Sequence, residues 1–180
     1  MNQDDIRVRR VSGEEASAMA PALAEVLLDC VQGGASVSFM DSLTPVQAQR
    51  FWAGVAAGVT RGERVLLVAE DEGGSLLGTV QLITAQPDNQ PHGADVAKML
   101  VHRRARRRGV GARLLAALDD EAQAAGKWVL VLDTLTGGDA ERLYARAGWQ
   151  RVGEIPNFAL MPDGALCSTT VFHKQLPRSG

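Results

Sequence analysis

Apolar and polar positions recur with two different periods along this chain, and the points where the period changes mark its elements. Ile6 to Val11 reads Ile-Arg-Val-Arg-Arg-Val, the pattern of a half-exposed strand. Ser12, with Glu14 and Glu15 behind it, starts a helix in which Met19, Leu23, Val26, Leu27 and Val31 recur at helical spacing until Gly33-Gly34. Pro21 lies inside that pattern and predicts a kink or the true beginning of the helix. Thr44-Pro45 supplies the cap and first turn of a second helix, which carries Val46, Phe51, Trp52, Val55 and Val59 and ends by Gly62.

The second half is richer in β signals. Arg64 to Glu70 and Leu76 to Thr84 are strand-like runs joined by Asp71-Glu-Gly-Gly-Ser75, an antiparallel hairpin. A strand over 95–102, a helix over 110–125 stopped by Gly126, and the apolar run Lys127 to Asp133 predict a right-handed strand, crossover helix and parallel strand. The near-continuous apolar character of 127–133 predicts cover on both faces. A helix over 139–147 closed by Gly148 follows. Strands over 149–155 and 165–176 come next, joined by a loop ending in the turn Pro162-Asp-Gly164, and a frayed tail covers 177–180. The fold class is α/β, a mixed sheet flanked by helices.

Length changes this picture little: 180 residues suit one domain over 1–180. With 46% hydrophobic and 22% charged residues and a net charge of −2, the five arginines within 103–108 are a local feature. That balance argues against a nucleic-acid or membrane-surface binder. Acidic residues at the start and short apolar runs lead us to expect no leader or membrane span, and a cytoplasmic location. Cys30 and Cys167 stand far apart with no partner motif, so we expect neither a disulfide framework nor a metal site.

The candidate chemistry lies in Asp95 to Gly111, where an apolar strand ends in a basic, glycine-bearing turn and a helix follows. Amides in a helix's first turn lack intrahelical partners and the macrodipole is positive there, so the stretch reads as a phosphate cradle. Three other readings compete. A nucleic-acid patch lacks interleaved aromatics, which total 4% of the chain. A dinucleotide fingerprint lacks its third glycine, Leu114 standing in that place, and a hydrated turn is the plainest account.

The pattern Arg106-x-x-Gly109-x-Gly111 after Met99-Leu100-Val101, together with Ala140-Glu-Arg-Leu-Tyr144-Ala-Arg-Ala-Gly148-Trp149, resembles the GNAT N-acetyltransferase superfamily. The resemblance implies an antiparallel N-terminal meander followed by a parallel central pair that splays to admit acetyl-CoA, with no metal. Leu100 and Val101 would meet the pantetheine arm through their main chain. Arg106, Arg108, Gly109, Val110, Gly111 and Ala112 would offer N–H groups to the pyrophosphate. Tyr144 would protonate the departing thiolate. Gly137 stands where many members carry an asparagine.

Gly33-Gly-Ala-Ser-Val-Ser-Phe-Met40, Asp133-Thr134 and Pro162-Asp-Gly164 further resemble the tabtoxin-resistance branch. That likeness implies that Asp95 and Asp133 bind and deprotonate an amine, with Ser36 a polar contact and Phe39 and Met40 walls of the acceptor pocket. His102 is an alternative base, or a polar spacer beside the arginines. The implied activity is transfer of acetyl from acetyl-CoA to a primary amine of a small molecule, amino-acid-like or antibiotic. Acetylation of protein or peptide amines, and a silent CoA-binding module, are the alternatives. The acceptor's identity, the choice of base, the arginines used and the oligomeric state stay open.

Overall fold

The computed structural model describes residues 6–178, so the expectations about residues 1–5 and the end of the tail lie outside the described residues. Strand β1 (Arg7–Val11) leads into α1 (Gly13–Ala18), whose start is a reciprocal cap: Glu15 N donates to Ser12 Oγ and Ser12 N to the Glu15 carboxylate. Helix α2 (Ala20–Gln32) has Pro21 in its first turn, so the proline begins a helix rather than kinking one. Thr44 and Gln47 form the same kind of cap on α3 (Pro45–Thr60).

The hairpin β2 (Arg64–Glu70) and β3 (Leu76–Ile83) is followed by β4 (Gly93–Val101), α4 (Val110–Ala124), β5 (Val129–Leu135), α5 (Asp139–Arg146), β6 (Gln150–Leu160) and β7 (Leu166–Gln175). They build one seven-stranded sheet in the order β1-β2-β3-β4-β5-β7-β6. Every neighbouring pair is antiparallel except β4 with β5. That parallel pair closes only at Gly93↔Val129, Ala94↔Leu130 and Asp95↔Val131, after which the strands part. Beyond Asp95, β4 is paired on its β3 side alone.

One face of the sheet packs on α4 and α5 through residues such as Leu67, Val80, Leu114, Leu130 and Phe172. The other packs on α2 and α3 through Leu27, Trp52, Leu66, Val68 and Leu100. Two expectations need correction. Strand β5 is covered on one face only: Leu130 and Leu132 are buried while Val131 is 38% exposed, because α2 and α3 lie over β2 to β4 and leave the second face of β5 open. Strand β6 runs on to Leu160 through an irregularity between Ile155 and Ala159, so most of the expected loop is strand. Among the described residues no helix is long and apolar enough to cross a membrane.

Candidate active site

The arginine turn is held from below by α2. Asp29 accepts from Arg103 twice, from its amide at 2.8 Å and its Nε at 2.9 Å, and Arg104 donates to the Leu76 carbonyl at 2.9 Å. Burial acts to raise the Asp29 carboxyl, but Arg103 and the nearby His102 outweigh it and hold it below the usual carboxylate range. Two of the five arginines are therefore spent on structure. His102 Nδ1 accepts from the Arg104 amide at 3.2 Å and its ring faces Asp29 and Glu25, on the α2 side of the turn.

Arg107 and Gly109 adopt left-handed backbone, φ 61° and 78°, and turn the chain into α4 without a side-chain cap. The first amide with a carbonyl four residues back is that of Arg113, 3.1 Å from Gly109 O. The helix itself thus leaves the amides of Val110, Gly111 and Ala112 free to meet an anion. Arg106 differs: its amide already donates to Arg103 O at 3.3 Å, so the N–H expected to meet a phosphate there is engaged within the turn. A Cβ at Gly111 would lie 2.8 Å from Leu143 Cδ2 of α5, so that side chain packs closely over the first turn of α4.

Leu100 and Val101 lie on the stretch of β4 that β5 no longer pairs. Beside it is a cleft of about 380 Å³ whose lining includes Asp95, Asp133, Ile155, Phe158, Thr169 and Val171. Both predicted carboxylates are there and both are exposed to solvent. Gln86 Nε2 donates to Asp95 Oδ2 at 3.1 Å, and the Thr169 hydroxyl lies 2.7 Å from Asp133 Oδ2. Tyr144 belongs to the core on the opposite face, edge-on to Trp149 with ring centroids 5.9 Å apart. Burial, and then the charge of Asp133, push its phenol above the ordinary tyrosine range, so it stays protonated.

The segment 33–40 crosses the sheet toward β6 and β7. Ser36 Oγ is 3.8 Å from Cys167 Sγ, and the Asp41 amide donates to Pro162 O at 3.1 Å. Phe39 stands edge-on to Phe51 at 5.2 Å, while Met40 sits further out, 39% exposed. Sequence reasoning passed over Lys98, Thr169, Gln86 and Asp29. Lys98 alone carried a signal, as a lysine inside an apolar strand three residues after an aspartate; the others are joined to the site only by tertiary contacts.

Residues 62–151, half of the chain, match the model of the acetyltransferase (GNAT) domain. The chain belongs to the GNAT acetyltransferase family. Members of this family take the acetyl group from acetyl-CoA, and the matched stretch of this GNAT chain runs from β2 through the arginine turn to α5. Solved structures share the fold. YncA of Salmonella typhimurium, whose structure holds its cofactor acetyl-CoA, is 21% identical with a TM-score of 0.78, over 98% of this chain and 97% of its own. A GCN5-related N-acetyltransferase from Kribbella flavida is 24% identical with a TM-score of 0.79, over 97% and 100%. A ribosomal-protein-alanine N-acetyltransferase from Brucella melitensis is 23% identical with a TM-score of 0.76, over 94% and 99%.

Proposed function

We propose that this GNAT domain moves acetyl from acetyl-CoA directly to the primary amine of a small molecule. The observation that carries the reading is one cleft, beside the parted strands β4 and β5, lined by both Asp95 and Asp133. When bound, acetyl-CoA supplies an activated acyl group. The residues present suit it: the amides of Val110, Gly111 and Ala112, with Arg106 and Arg108 beside them in the same turn, would meet its phosphates, and Leu100 and Val101, on the unpaired stretch of β4, would offer main-chain groups to its arm.

An ammonium is not a nucleophile, so the acceptor must give up a proton before its nitrogen attacks. Asp95 and Asp133 hold the ammonium and take that proton, each fixed by a neighbour, Gln86 or Thr169. Tyr144, on the α5 side of the parted strands, would give its phenolic proton to the departing thiolate from that opposite face, and its raised pKa keeps the proton in place until then. No covalent enzyme intermediate is needed.

Within the family we place the chain nearest the tabtoxin-resistance branch, on the segments that resemble it: Asp133 lines this cleft, Ser36 Oγ lies 3.8 Å from Cys167 Sγ of β7, and the Asp41 amide ties the end of 33–40 to Pro162. Likeness to an acetyltransferase of ribosomal-protein alanine favours a second reading, a peptide amine acceptor. The cleft's small volume, with segment 33–41 tied to Pro162 beside it, supports the small-molecule reading instead. Calorimetric titration with acetyl-CoA, followed by CoA release with small amines and with peptides, separates them. Asp133→Asn is expected to cut turnover by roughly 10²-fold or more with acetyl-CoA affinity retained. CoA release with peptides only, or with no amine, refutes the proposal.

A further inference from the structure

Strand β4 contains an irregularity that changes which side chains share a face with Asp95. Opposite β3, Gln81 pairs with Ala97 and Thr79 with Leu100, so Lys98 and Met99 together face Val80. Lys98 takes up left-handed backbone, φ 51°, which is unusual for a lysine and marks a place where the surroundings impose the conformation. Before the bulge, Ala94 and Val96 belong to the core on the α4 face, whereas Asp95 and Ala97 line the open cleft. Strict alternation would send residue 98 to the α4 core; the bulge keeps it with Asp95 and Ala97 instead.

There the ammonium of Lys98 donates to Ser38 Oγ at 2.8 Å and stands 5.9 Å from the ring centroid of Phe39 and 6.0 Å from that of Phe51. Among the described residues no carboxylate lies within 4.0 Å of it, although Lys98 is half-buried. Burial lowers its pKa, with the charge of Asp133 opposing only in part. A partly desolvated cation with one neutral hydroxyl and two rings for company is short of a counter-charge.

Resting on the acetyl-transfer reading above, we infer that Lys98 is the anchor for an anionic group on the acceptor, so that the preferred substrate is an amine that also carries a carboxylate. The two aspartates hold its ammonium end and Lys98, with Ser38, its carboxylate end. Three residues of strand separate Asp95 from Lys98, at most about 10 Å, the span of an amino-acid-sized molecule hydrogen bonded at both ends. A protein chain presents its terminal amine without an adjacent carboxylate and would leave Lys98 unpaired.

The test uses L-amino acids, each beside its methyl ester and its decarboxylated amine. Binding is measured by calorimetry on the CoA-loaded protein, and turnover by CoA release with acetyl-CoA. The expected result is that at least one acid binds ten-fold or more tightly than its ester. Lys98→Met should bring the acid down to the ester's affinity without changing the KM for acetyl-CoA, and Lys98→Arg should restore part of the preference. Esters binding as well as acids across the set, or a preference that survives Lys98→Met, would overturn the inference. Turnover confined to esters and decarboxylated amines would overturn it while leaving acetyl transfer standing. Acid binding that depends on Lys98 without any CoA release would support it while defeating the transfer reading.

Discussion

Removing the Asp29 carboxylate tests whether α2 holds the arginine turn in shape for the cofactor. In Asp29→Ala the turn loses two charge-assisted hydrogen bonds, from the Arg103 amide and its guanidinium. The Asp29 side chain is 12% exposed, so the bond to the amide belongs near the lower end of the range for charged partners, roughly 1.5 kcal/mol. The Arg103 side chain is 48% exposed and screened by solvent, which limits the ion pair to about 0.5 kcal/mol. Together they predict a loss of about 2 kcal/mol and a fall in Tm of roughly 4–8 °C for a domain of this size. The acid limb gives the sign: the Asp29 carboxyl is depressed, so its stabilisation is complete above the ordinary carboxylate range and vanishes as pH falls through its lowered pKa. The variant should therefore converge with the parent protein in acid. Loosening one residue of the turn costs about 1–2 kcal/mol of ordering on binding, so the KM for acetyl-CoA should rise about ten-fold with kcat unchanged. Thermal melts over a pH series and initial-rate kinetics read both effects. An unchanged Tm at neutral pH, or a fall in kcat with KM intact, would refute the reasoning.

Tyr144→Phe keeps the packing against Trp149 and Phe172 and removes only the hydroxyl, the proposed acid; kcat should fall by roughly 10²-fold or more while calorimetry finds acetyl-CoA affinity within about two-fold. Since its phenol is raised, the rate should show no loss of this acid below the ordinary tyrosine pKa of about 10. Gly109→Ala forces a side chain into left-handed backbone and is expected to cost about 1–2 kcal/mol in a denaturant melt and to weaken acetyl-CoA binding several-fold. Thr44→Ala strips the reciprocal cap from α3 and should cost about 1 kcal/mol in the same denaturant melt.

The elements were legible where local chemistry decides them. Ser12, Thr44-Pro45, Gly126 and Gly148 mark helix ends by capping and left-handed turns, which depend on near neighbours alone. The cover on β5 was not: its run of apolar residues suits a strand between two layers, and only the placing of α2 and α3 over the other half of the sheet leaves Val131 in the open. At the proposed site, Asp95, Asp133 and Tyr144 were candidates because motif spacing is written in sequence, and the two aspartates do line one cleft. Lys98 could not be assigned a face, since a bulge shifts parity without leaving a mark in the pattern. The tie from Asp29 to Arg103 spans 74 positions of the chain and is visible only in three dimensions.

Because β4 and β5 meet at only three residue pairs, the sheet is two panels, β1 to β4 and β5-β7-β6, sewn together at one end of a seam. A pantetheine arm lying along that seam would lace the panels together, so the donor would act as a missing strand as well as a reagent. Amide hydrogen exchange in β4 and β5 should slow on both sides at once when it binds, coupling the rigidity of the molecule to the supply of its acyl donor.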